Sequence, residues 1–452
     1  MYLLRTLVAA PLSLSLLLGA IPGANGATRT ASQSVTIARS DLAELLDAYS
    51  LIKMQYVNQV DDRKLLGAAI GGMLKSLDPH SDYLDKEGML ALERETSGQY
   101  VGIGMEVAAE NGMMRVQSLA EDGPAERGGV RAGDRVIALG GQAVTGLAYA
   151  EIARRVRGAP GSVLEVVLAR EGEARPRTLH LVRAALRSDS VTLRSAGKGL
   201  AWIRIAEFAR ATGADLNAAL VKAGEGGTPP GLILDLRNDP GGLVNAAADV
   251  AAAFLAPDQA LFLVRGRGAE ERVDVGMGGT PGEGAQGPGA PAWARTVPLV
   301  VLVNGASASA AELLAGALQD HGRATVVGSR TFGKGSIQTV IPLSEDSAVK
   351  MTVARYATPL GREIQATGLA PDIAVGGTGR GALLLHEADL ANHLPALDGA
   401  GPGTPAAADD ARLFGSASDL ALAAAVAQLQ PPAPHTAALA RRWHAWMARL
   451  GR

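Results

Sequence analysis

An apolar run at residues 297–303 constrains the fold of this chain more than any other feature. It reads Val-Pro-Leu-Val-Val-Leu-Val, which is typical of a strand buried on both faces. Leucine and alanine then recur at helical spacing, at Leu313, Leu314, Ala317 and Leu318. A buried strand that leads directly into a helix is the building unit of an α/β fold with a parallel sheet.

The same alternation extends over residues 185–375, which we assign to a core domain. Apolar segments at 200–206, 231–236 and 324–327 predict further strands, with helices between them. We therefore expect an α/β core whose functional loops lie at the strand ends. A stretch at 266–291 that is rich in glycine and proline is predicted to be a surface loop.

The turn after the buried strand carries a serine at the start of the predicted helix. Ser309-Ala-Ala-Glu312 has the pattern of a capping box, in which the serine caps the helix and Glu312 reaches back to the cap N–H. Backbone N–H groups at a helix N-terminus also stabilise a developing oxyanion. Ser309 is therefore a candidate both for a structural cap and for a nucleophile, and the two interpretations are compatible.

A lysine between two glycines follows in Thr331-Phe-Gly-Lys334-Gly-Ser-Ile-Gln338. In a glycine-flanked, apolar setting a lysine can lose its proton near neutral pH and act as a base. The alternative interpretation is a solvated loop lysine. Neither Lys334 nor Ser309 is decisive alone, and only their combination with the surrounding motifs points to a function.

The order of these motifs resembles that of the C-terminal processing peptidases, also called tail-specific proteases, which are Ser/Lys endopeptidases. The matching segments are 77–81, 100–105, 306–309 with Glu312, 316–320, 331–338, 356–361 and 368–372. The resemblance covers roughly residues 40–375. Ala311 departs from the family pattern, which usually has another serine there, but this change leaves the proposed nucleophile untouched.

The resemblance implies that Ser309 is the nucleophile, Lys334 the general base and Gln338 the residue that orients the lysine. Positions four apart in a strand face the same side, so Lys334 and Gln338 would point alike, about 13 Å apart along an ideal strand. Contact between them therefore requires a bend. Gly333 and Gly335 supply the conformational freedom for one.

Two histidines are alternative bases, and we reject both. His321 would lie about 18 Å from Ser309 along the same helix, which is too far to reach the hydroxyl. His80 lies in the proline-containing turn Asp78-Pro-His-Ser81, where a structural role is the simpler interpretation.

An oxyanion hole needs two donors. One is the backbone N–H of Ala310, which follows the proposed nucleophile. The pair Gly241-Gly242 comes after an apolar run, and paired glycines let the backbone approach a substrate closely. This segment matches the family's Asn-Pro-Gly-Gly block, with Asp239 before the proline. The resemblance nominates Gly241 or Gly242 as the second donor and does not decide between them.

Residues 98–184 form a PDZ-like segment, supported by further PDZ-like blocks at 123–130 and 132–137. Its first stretch would be a carboxylate-binding loop, because successive backbone N–H groups can hold a terminal carboxylate. The residues assigned to this substrate-binding loop are Val101, Gly102, Ile103, Gly104 and Met105. The side chains of Ile103 and Met105 predict a preference for an apolar or small C-terminal residue. Whether the unit activates or inhibits the protease stays open.

The N-terminus has the features of an export signal at residues 1–26. Arg5 precedes an apolar stretch and small residues suited to cleavage. Cleavage near Gly26 or Ala27 would leave the protein in the periplasm or outside the cell, whereas an uncleaved signal would associate it with the inner membrane. Pro11 and the short apolar span argue against a full membrane crossing, which needs ~20 residues.

The remaining segments are predicted to be largely helical. Residues 27–97 contain an apolar helical stripe and a second helix that starts at Asp61. The stripe consists of Leu42, Leu45, Leu46, Tyr49, Ile52 and Tyr56. This region is either an ordinary packed helical pair or, as in the resembling family, a dimerisation arm. Residues 376–452 are rich in alanine, glycine and proline, with short helices expected at 420–429 and 437–450 that could pack on the body or on a partner.

Composition limits the classes of function. The net charge of −2 gives no basis for a nucleic-acid partner or an anionic membrane surface. The chain has no cysteine and seven scattered histidines, so we expect no disulfide, no metal and no cofactor.

Three functions remain after this exclusion. The first is a serine endopeptidase that recognises protein substrates by their C-termini and acts through an acyl-enzyme. The second is a PDZ scaffold with a catalytically weak protease body, which the presence of Ser309, Lys334 and Gln338 disfavours. The third is another acyl-transfer or acyl-CoA enzyme with a Gly-Gly oxyanion hole, which has no need of a PDZ-like segment. We predict the endopeptidase.

Overall fold

A computed structural model describes most of the chain between residues 37 and 430. The described ranges are 37–110, 113–120, 122–145, 147, 149–187, 190–268, 270–278, 289–376, 386–397 and 414–430. The chain divides into two compact units, one of residues 90–189 and one formed by the segments on either side of it. The predicted signal at 1–26 and the predicted helix at 437–450 lie outside the described residues.

Two helices open the described chain, followed by a short strand and a third helix. Their bounds are α1 Arg39–Gln55, α2 Asp62–Lys75, β1 Asp82–Asp85 and α3 Lys86–Ser97. Asp61 caps α2 by accepting a hydrogen bond from the N–H of Lys64, as its position before the helix predicts. The predicted apolar stripe lies on α1, but no residue of that helix is buried.

The unit of residues 90–189, which we call the PDZ-like unit, begins within α3 and continues as a small antiparallel β-structure with two short helices in its described residues. Its elements are β2 Gln99–Gly102, β3 Met105–Glu110, β4 Met113–Leu119, α4 Pro124–Arg127, β5 Arg135–Leu139, β6 Gln142–Ala143, α5 Tyr149–Val156, β7 Val163–Ala169, β8 Arg177–Val182 and β9 Ala184–Arg187. The main sheet has the order β3-β4-β5-β7-β8, and β2 pairs with β9. Alternate residues of β7 are buried, which gives the unit a core of its own.

The larger unit is an α/β structure. Its elements are β10 Val191–Ser195, β11 Ala201–Ile205, α6 Thr212–Gly224, β12 Leu232–Asp235, α7 Val244–Ala251, β13 Ala260–Arg265, β14 Glu271–Asp274, α8 Val275–Gly278, β15 Leu299–Val303, α9 Ala310–Asp320, β16 Thr325–Gly328, β17 Ser336–Ser344, β18 Ser347–Ala357, β19 Ile373–Ala374 and α10 Leu420–Gln428. One sheet has the order β10-β11-β12-β15-β16-β19. It is parallel except for the pair β10 and β11.

The centre of this sheet explains the apolar runs in the sequence. Every residue of β12 and β15 is buried, as expected for central strands of a parallel sheet that is covered on both faces. The polypeptide leaves β12 toward the Gly241-Gly242 pair and leaves β15 toward Ser309. Because neighbouring parallel strands end at the same edge of a sheet, both turns lie at that edge.

A second sheet of the larger unit corrects one prediction. Its order is β1-β18-β13-β14, and β17 pairs with β18. The stretch 266–291 was predicted to be a loop from its glycine and proline content, but it contains β14 and α8. The reason is tertiary: β14 pairs with β13 and buries Val273. The predicted helix at 420–429 is confirmed as α10.

None of the helices within the described ranges is long and apolar enough to span a membrane.

Candidate active site

The turn that carries Ser309 has an unusual backbone conformation. Ser309 has a φ of 54° and a ψ of −115°, a region that residues other than glycine rarely adopt. Such a conformation costs about 1–3 kcal/mol and persists only where the surroundings enforce it. The loop after β12 supplies part of this enforcement. Ala308 donates its N–H to the carbonyl of Asp239 at 2.9 Å, and the Ser307 hydroxyl donates to the carbonyl of Leu236 at 2.7 Å.

The Glu312 carboxylate connects the serine turn to the lysine segment. Glu312 is fully buried and accepts the N–H groups of Ser309 at 2.9 Å, Gly333 at 2.8 Å and Lys334 at 2.9 Å, together with the hydroxyl of Thr331. The N–H groups of Ser309 and Lys334 reach the same oxygen, Oε2. The two backbone nitrogens are therefore no further apart than twice 2.9 Å.

Tyr356 makes the same connection from the carbonyl side. Its Oη lies 2.8 Å from the carbonyl oxygens of both Ser309 and Lys334, so its single proton is shared between them. Glu312 and Tyr356 thus form a clamp, in which one side chain holds the N–H groups and the other holds the carbonyls of the same two residues. The clamp brings together two segments that lie on different elements of the chain.

Burial perturbs both members of this clamp. Burial raises the pKa of Glu312 to about 7, although the hydrogen bonds from Thr331, Gly333, Ser309 and Lys334 act in the opposite direction. Burial also raises the pKa of Tyr356 well above its usual value. The carboxylates of Glu312 and Glu387 add to that rise, so the tyrosine stays a neutral hydrogen-bond donor.

Gln338 lies on β17, just beyond the lysine segment. Lys334 lies two residues before Ser336, the first residue of this strand. The pairing of β17 with β18 shifts register between Ile337 and Gln338. A bulge of this kind bends a strand and re-aims its side chains. The straight-strand separation expected from the sequence therefore does not apply. The Gln338 amide nitrogen donates to the hydroxyls of Ser336 at 2.9 Å and Thr352 at 3.2 Å.

Gly241 lies directly against the serine turn. A Cβ at this position would lie 2.7 Å from the carbonyl oxygen of Ala308, 2.8 Å from the Cβ of Ser309 and 2.9 Å from the nitrogen of Ala310. Only glycine permits this approach, and its φ of 96° adds to the requirement. The N–H of Gly241 donates to Oδ1 of Asp239 at 2.8 Å.

Gly242 is fixed by a different neighbour. Its φ is 138°, and a Cβ there would lie 2.3 Å from the carbonyl oxygen of Phe208. Both glycines of the pair are therefore required by close packing, but only Gly241 packs against Ser309.

A buried ion-pair network anchors the start of this loop. The guanidinium of Arg237, which is 1% exposed, pairs with Asp235 at 2.8 Å and with Asp419 at 2.7 Å. It also lies over the ring of Phe414, 3.9 Å from the ring centroid. Asp419 caps α10 through the N–H of Leu422. The segment from Phe414 to α10 therefore holds the loop that leads to Gly241, a role that the sequence did not indicate.

The proposed carboxylate-binding loop lies between β2 and β3 of the PDZ-like unit. Val101 and Gly102 belong to β2. Ile103 is fully buried in the core of the unit, and its carbonyl accepts the N–H of Ala125 at 2.8 Å. Gly104 has a φ of 71°, and Met105, which begins β3, is partly exposed. The Ile103 side chain packs into the core of the unit, and the preference for an apolar or small C-terminal residue stays a prediction.

The two rejected histidines have structural contacts. His321 ends α9, and its Nε2 lies 2.7 Å from the carbonyl oxygen of Ala260. His80 lies with its Nε2 2.8 Å from Oε2 of Glu387. No group of three or more metal-binding side chains occurs within the described ranges.

Comparison with known proteins shows the family of the chain. Three family models match the chain: Activating protease CtpB N-terminal domain over residues 21–88, PDZ domain over 115–170 and Peptidase family S41 over 199–375. A carboxy-terminal-processing protease of Bartonella bacilliformis is 39% identical over 340 residues, which cover 74% of this chain and 75% of that protein. The chain belongs to the C-terminal processing proteases.

Two further proteins are similar to this chain. A probable CtpA-like serine protease of Staphylococcus aureus is 33% identical over 338 residues, covering 75% of this chain and 65% of that protein. The solved structure of a photosystem II D1 C-terminal processing protease is 32% identical, with a TM-score of 0.43, and covers 76% of this chain and 94% of that one. The family models and the two bacterial relatives show that the chain is a serine-type peptidase with a PDZ domain. Its protease core is α/β.

The sequence pointed to the residues of this site but missed what holds them. Glu312 was recognised only as part of a capping box, and its contacts with Thr331 and Lys334 are not local. Tyr356 stands in a motif that supports the family resemblance, yet nothing in that motif indicates its bonds to Ser309 and Lys334. A buried carboxylate and a buried tyrosine within family motifs are the signals that could have drawn attention to them.

Proposed function

We propose that this protein is an endopeptidase in which Ser309 attacks the scissile carbonyl and Lys334 acts as the general base. The observation that supports this most is the clamp of Glu312 and Tyr356, which holds the backbones of Ser309 and Lys334 side by side. Ser309 and Lys334 are both partly buried, and the clamp keeps their backbones close. Activation of the serine further requires the lysine amine to lie within hydrogen-bond reach of the hydroxyl, which is part of the proposal.

The proposed reaction proceeds through an acyl-enzyme. The neutral amine of Lys334 takes the proton of the Ser309 hydroxyl as the oxygen attacks the peptide carbonyl, and Gln338 orients the amine. The N–H of Ala310 and an N–H of the Gly241-Gly242 pair stabilise the oxyanion. The lysine then gives its proton to the leaving amine. In the second half of the reaction water attacks the acyl group and gives a proton to Lys334, which returns it to the Ser309 oxygen as the acid product leaves.

The dyad is tested by two substitutions in the purified protein. Ser309→Ala should abolish hydrolysis of a long unstructured protein while the fold is kept, since a lost helix cap costs only ~1 kcal/mol. Lys334→Arg should also be inactive, because a guanidinium does not deprotonate in proteins. The wild-type rate should fall in acid, where a protonated lysine accepts no proton. Turnover by either variant would contradict the assignment.

We further propose that the PDZ domain selects substrates by their C-termini. The loop from Val101 to Met105 would receive the terminal carboxylate on its backbone N–H groups, and the tail would add as a strand to the sheet edge. A long peptide with a free apolar C-terminus should then be cut faster than its amidated form, which lacks the negative charge. Equal cleavage of the two peptides would remove this role.

Deletion of residues 98–184 separates two versions of the proposal. If the unit delivers substrate, the deleted enzyme should lose activity on long substrates. If the unit blocks the site until a ligand moves it, deletion should raise activity. The sign of the change decides between them, provided that the remaining protein is shown to be folded.

Localisation and assembly complete the proposal. We place the protein in the periplasm on the basis of its N-terminal sequence, and N-terminal sequencing of the exported protein tests cleavage near Gly26 or Ala27.

We also propose a homodimer, because α1 exposes apolar side chains in a helix with no buried residue. The most exposed of them are Met54 at 73%, Leu45 at 58% and Leu46 at 56%. Light scattering of wild-type protein and of a Leu45→Glu variant measures this association.

A further inference from the structure

A short segment far from Ser309 in the sequence is built into the larger unit beside Gln338. Asp78 and Ser81 are 3% and 1% exposed. The Asp78 Oδ1 accepts the N–H groups of His80 at 2.9 Å and Ser81 at 2.8 Å, and its Oδ2 accepts the Ser81 hydroxyl at 2.7 Å. The same Oδ1 lies 3.1 Å from the hydroxyl oxygen of Thr352 on β18.

The Thr352 hydroxyl can donate its proton to only one of its two neighbours, Asp78 and Gln338. Oδ1 of Asp78 already accepts two backbone N–H groups, so it is an acceptor and not a hydroxyl oxygen. Thr352 therefore donates its single proton to Asp78. The Thr352 oxygen is left as an acceptor toward its other neighbour, the side-chain amide of Gln338 at 3.2 Å.

This direction fixes the orientation of the Gln338 amide. Because the Thr352 oxygen is an acceptor, the amide nitrogen of Gln338 must face it. The second N–H of that nitrogen donates to the Ser336 hydroxyl at 2.9 Å. The reversed amide would place two acceptors, the Gln338 carbonyl oxygen and the Thr352 oxygen, against each other. The partners of Gln338 thus distinguish the two ends of its amide on chemical grounds.

We infer that Asp78 and Thr352 are positioning residues that hold the Gln338 amide with its oxygen, and not its nitrogen, available to Lys334. The N–H bonds of an amine or ammonium group need an acceptor, which a carbonyl oxygen provides. An amide N–H could bond only to the lone pair of the neutral amine, and that is the electron pair that must take the serine proton. The inference rests on the proposed roles of Lys334 and Gln338. It assigns a function to Asp78, which lies in a turn that the reaction otherwise does not use.

A second series of contacts joins the same turn to the backbone of Gly335, the residue that follows Lys334. His80 Nε2 contacts Oε2 of Glu387 at 2.8 Å, and Oε1 of Glu387 accepts the Gln365 amide at 2.8 Å. The oxygen of that amide accepts the N–H of Gly335 at 2.9 Å. The turn is therefore linked through hydrogen bonds to Gly335, the residue after the proposed base, and to Gln338.

The decisive substitution is Thr352→Val, which keeps the shape and the strand propensity of threonine but removes the hydroxyl. With a long unstructured protein as substrate, kcat should fall about tenfold while KM changes little, a smaller loss than the roughly hundredfold or greater cost of removing a general base. Thr352→Ser restores a hydroxyl at the same position and should recover most of the rate. A purely structural role for the threonine methyl would give the opposite order.

A double substitution shows whether Thr352 acts through Gln338. Thr352→Val should lower kcat in the wild-type background but not in a Gln338→Ala background, because the group that it orients is then absent. An equal loss in both backgrounds, or no loss in either, would overturn the inference.

Ser81→Ala is the matched structural control. Ser81 bonds to Asp78 and accepts the N–H of Thr352 at 3.0 Å, but it does not touch Gln338. Its removal should lower the melting temperature and leave kcat within about twofold of wild type, because the direction of the Thr352 proton is unchanged. A tenfold fall in kcat with Ser81→Ala would mean that any damage to this turn slows the reaction, which would also overturn the inference.

Failure of the proposed dyad is a separate outcome, since it would appear as activity in Ser309→Ala or Lys334→Arg.

Discussion

The serine turn and the PDZ loop are both built from unusual backbone, but they are held in different ways. At the serine turn, the side chains of Glu312 and Tyr356 bond the backbone of Ser309 and that of Lys334. At the PDZ loop the bonds run between backbone groups: Ala125 donates to Ile103 at 2.8 Å, and Ala120 donates to Gly104 at 3.0 Å.

This difference indicates how sensitive each site is to single substitutions. Backbone bonds survive most substitutions, because every residue except proline carries the same N–H and carbonyl groups. A buried side chain that serves several partners cannot be replaced, because each partner is left unsatisfied when it is lost. Single substitutions should therefore have large effects at the serine turn and modest effects at the PDZ loop.

The largest effect is expected from Glu312→Gln. An amide has donors on one end, so at least one of the N–H groups that face Glu312 would lose its acceptor, at a cost of about 1–3 kcal/mol. The turn and the lysine segment would separate, and kcat/KM should fall about a hundredfold or more. The control is Glu345→Gln, the same chemical change at an exposed position between β17 and β18. Equal activities of the two variants would show that the serine turn does not depend on the Glu312 carboxylate.

The next largest effect is expected from Gly241→Ala. The added methyl would lie 2.7 Å from the Ala308 carbonyl oxygen and 2.8 Å from the Cβ of Ser309, so the serine turn or the glycine loop must move. Because a displacement of about 1 Å can cost ~100-fold, we expect kcat to fall between about tenfold and a hundredfold. Gly226→Ala is the matched control, since a Cβ there meets nothing within 4 Å. A Gly241→Ala enzyme with wild-type kcat would show that the loop is not part of the site.

How much of this site the sequence predicted depends on the range of the interactions. The buried strand β15, the start of α9 and the Ser309–Glu312 box are local patterns, and the structure has all three. The contact of Arg237 with Asp419 and that of Asp78 with Thr352 join distant segments, and no local pattern reports them. The strand β14 was missed for the same reason, because its pairing with β13 outweighs the composition of the surrounding stretch. The apolar stripe of α1 was predicted, but its exposure was not.

A smaller effect is expected in the dependence of stability on pH. Burial raises the pKa of Glu312 from 4.5 to about 7, so the folded protein binds this proton more tightly than the unfolded chain. The folded state then holds more protons between these two values, and the contribution of Glu312 to the free energy of unfolding falls as pH rises through this window. The melting temperature of wild type relative to Glu312→Gln should therefore decline from pH 5 to pH 8. A constant difference would mean that the carboxyl is already ionised throughout.

The smallest effect is expected at the PDZ loop, from Gly104→Ala. Its φ of 71° disfavours alanine, and the added methyl would lie 3.0 Å from the Cβ of Ala120, a contact that a backbone shift of a few tenths of an ångström relieves. The backbone bonds of the loop remain, so we expect KM for a long substrate with a free C-terminus to rise by only about three- to tenfold, the equivalent of ~1 kcal/mol. Because the serine turn is untouched, kcat should stay at the wild-type value. Gly172→Ala is the matched control: it has the same kind of positive φ, at 84°, but meets nothing within 4 Å. A fall in kcat with Gly104→Ala alone would mean that the PDZ loop acts on the catalytic residues as well as on the substrate, and the two sites could then no longer be treated as independent.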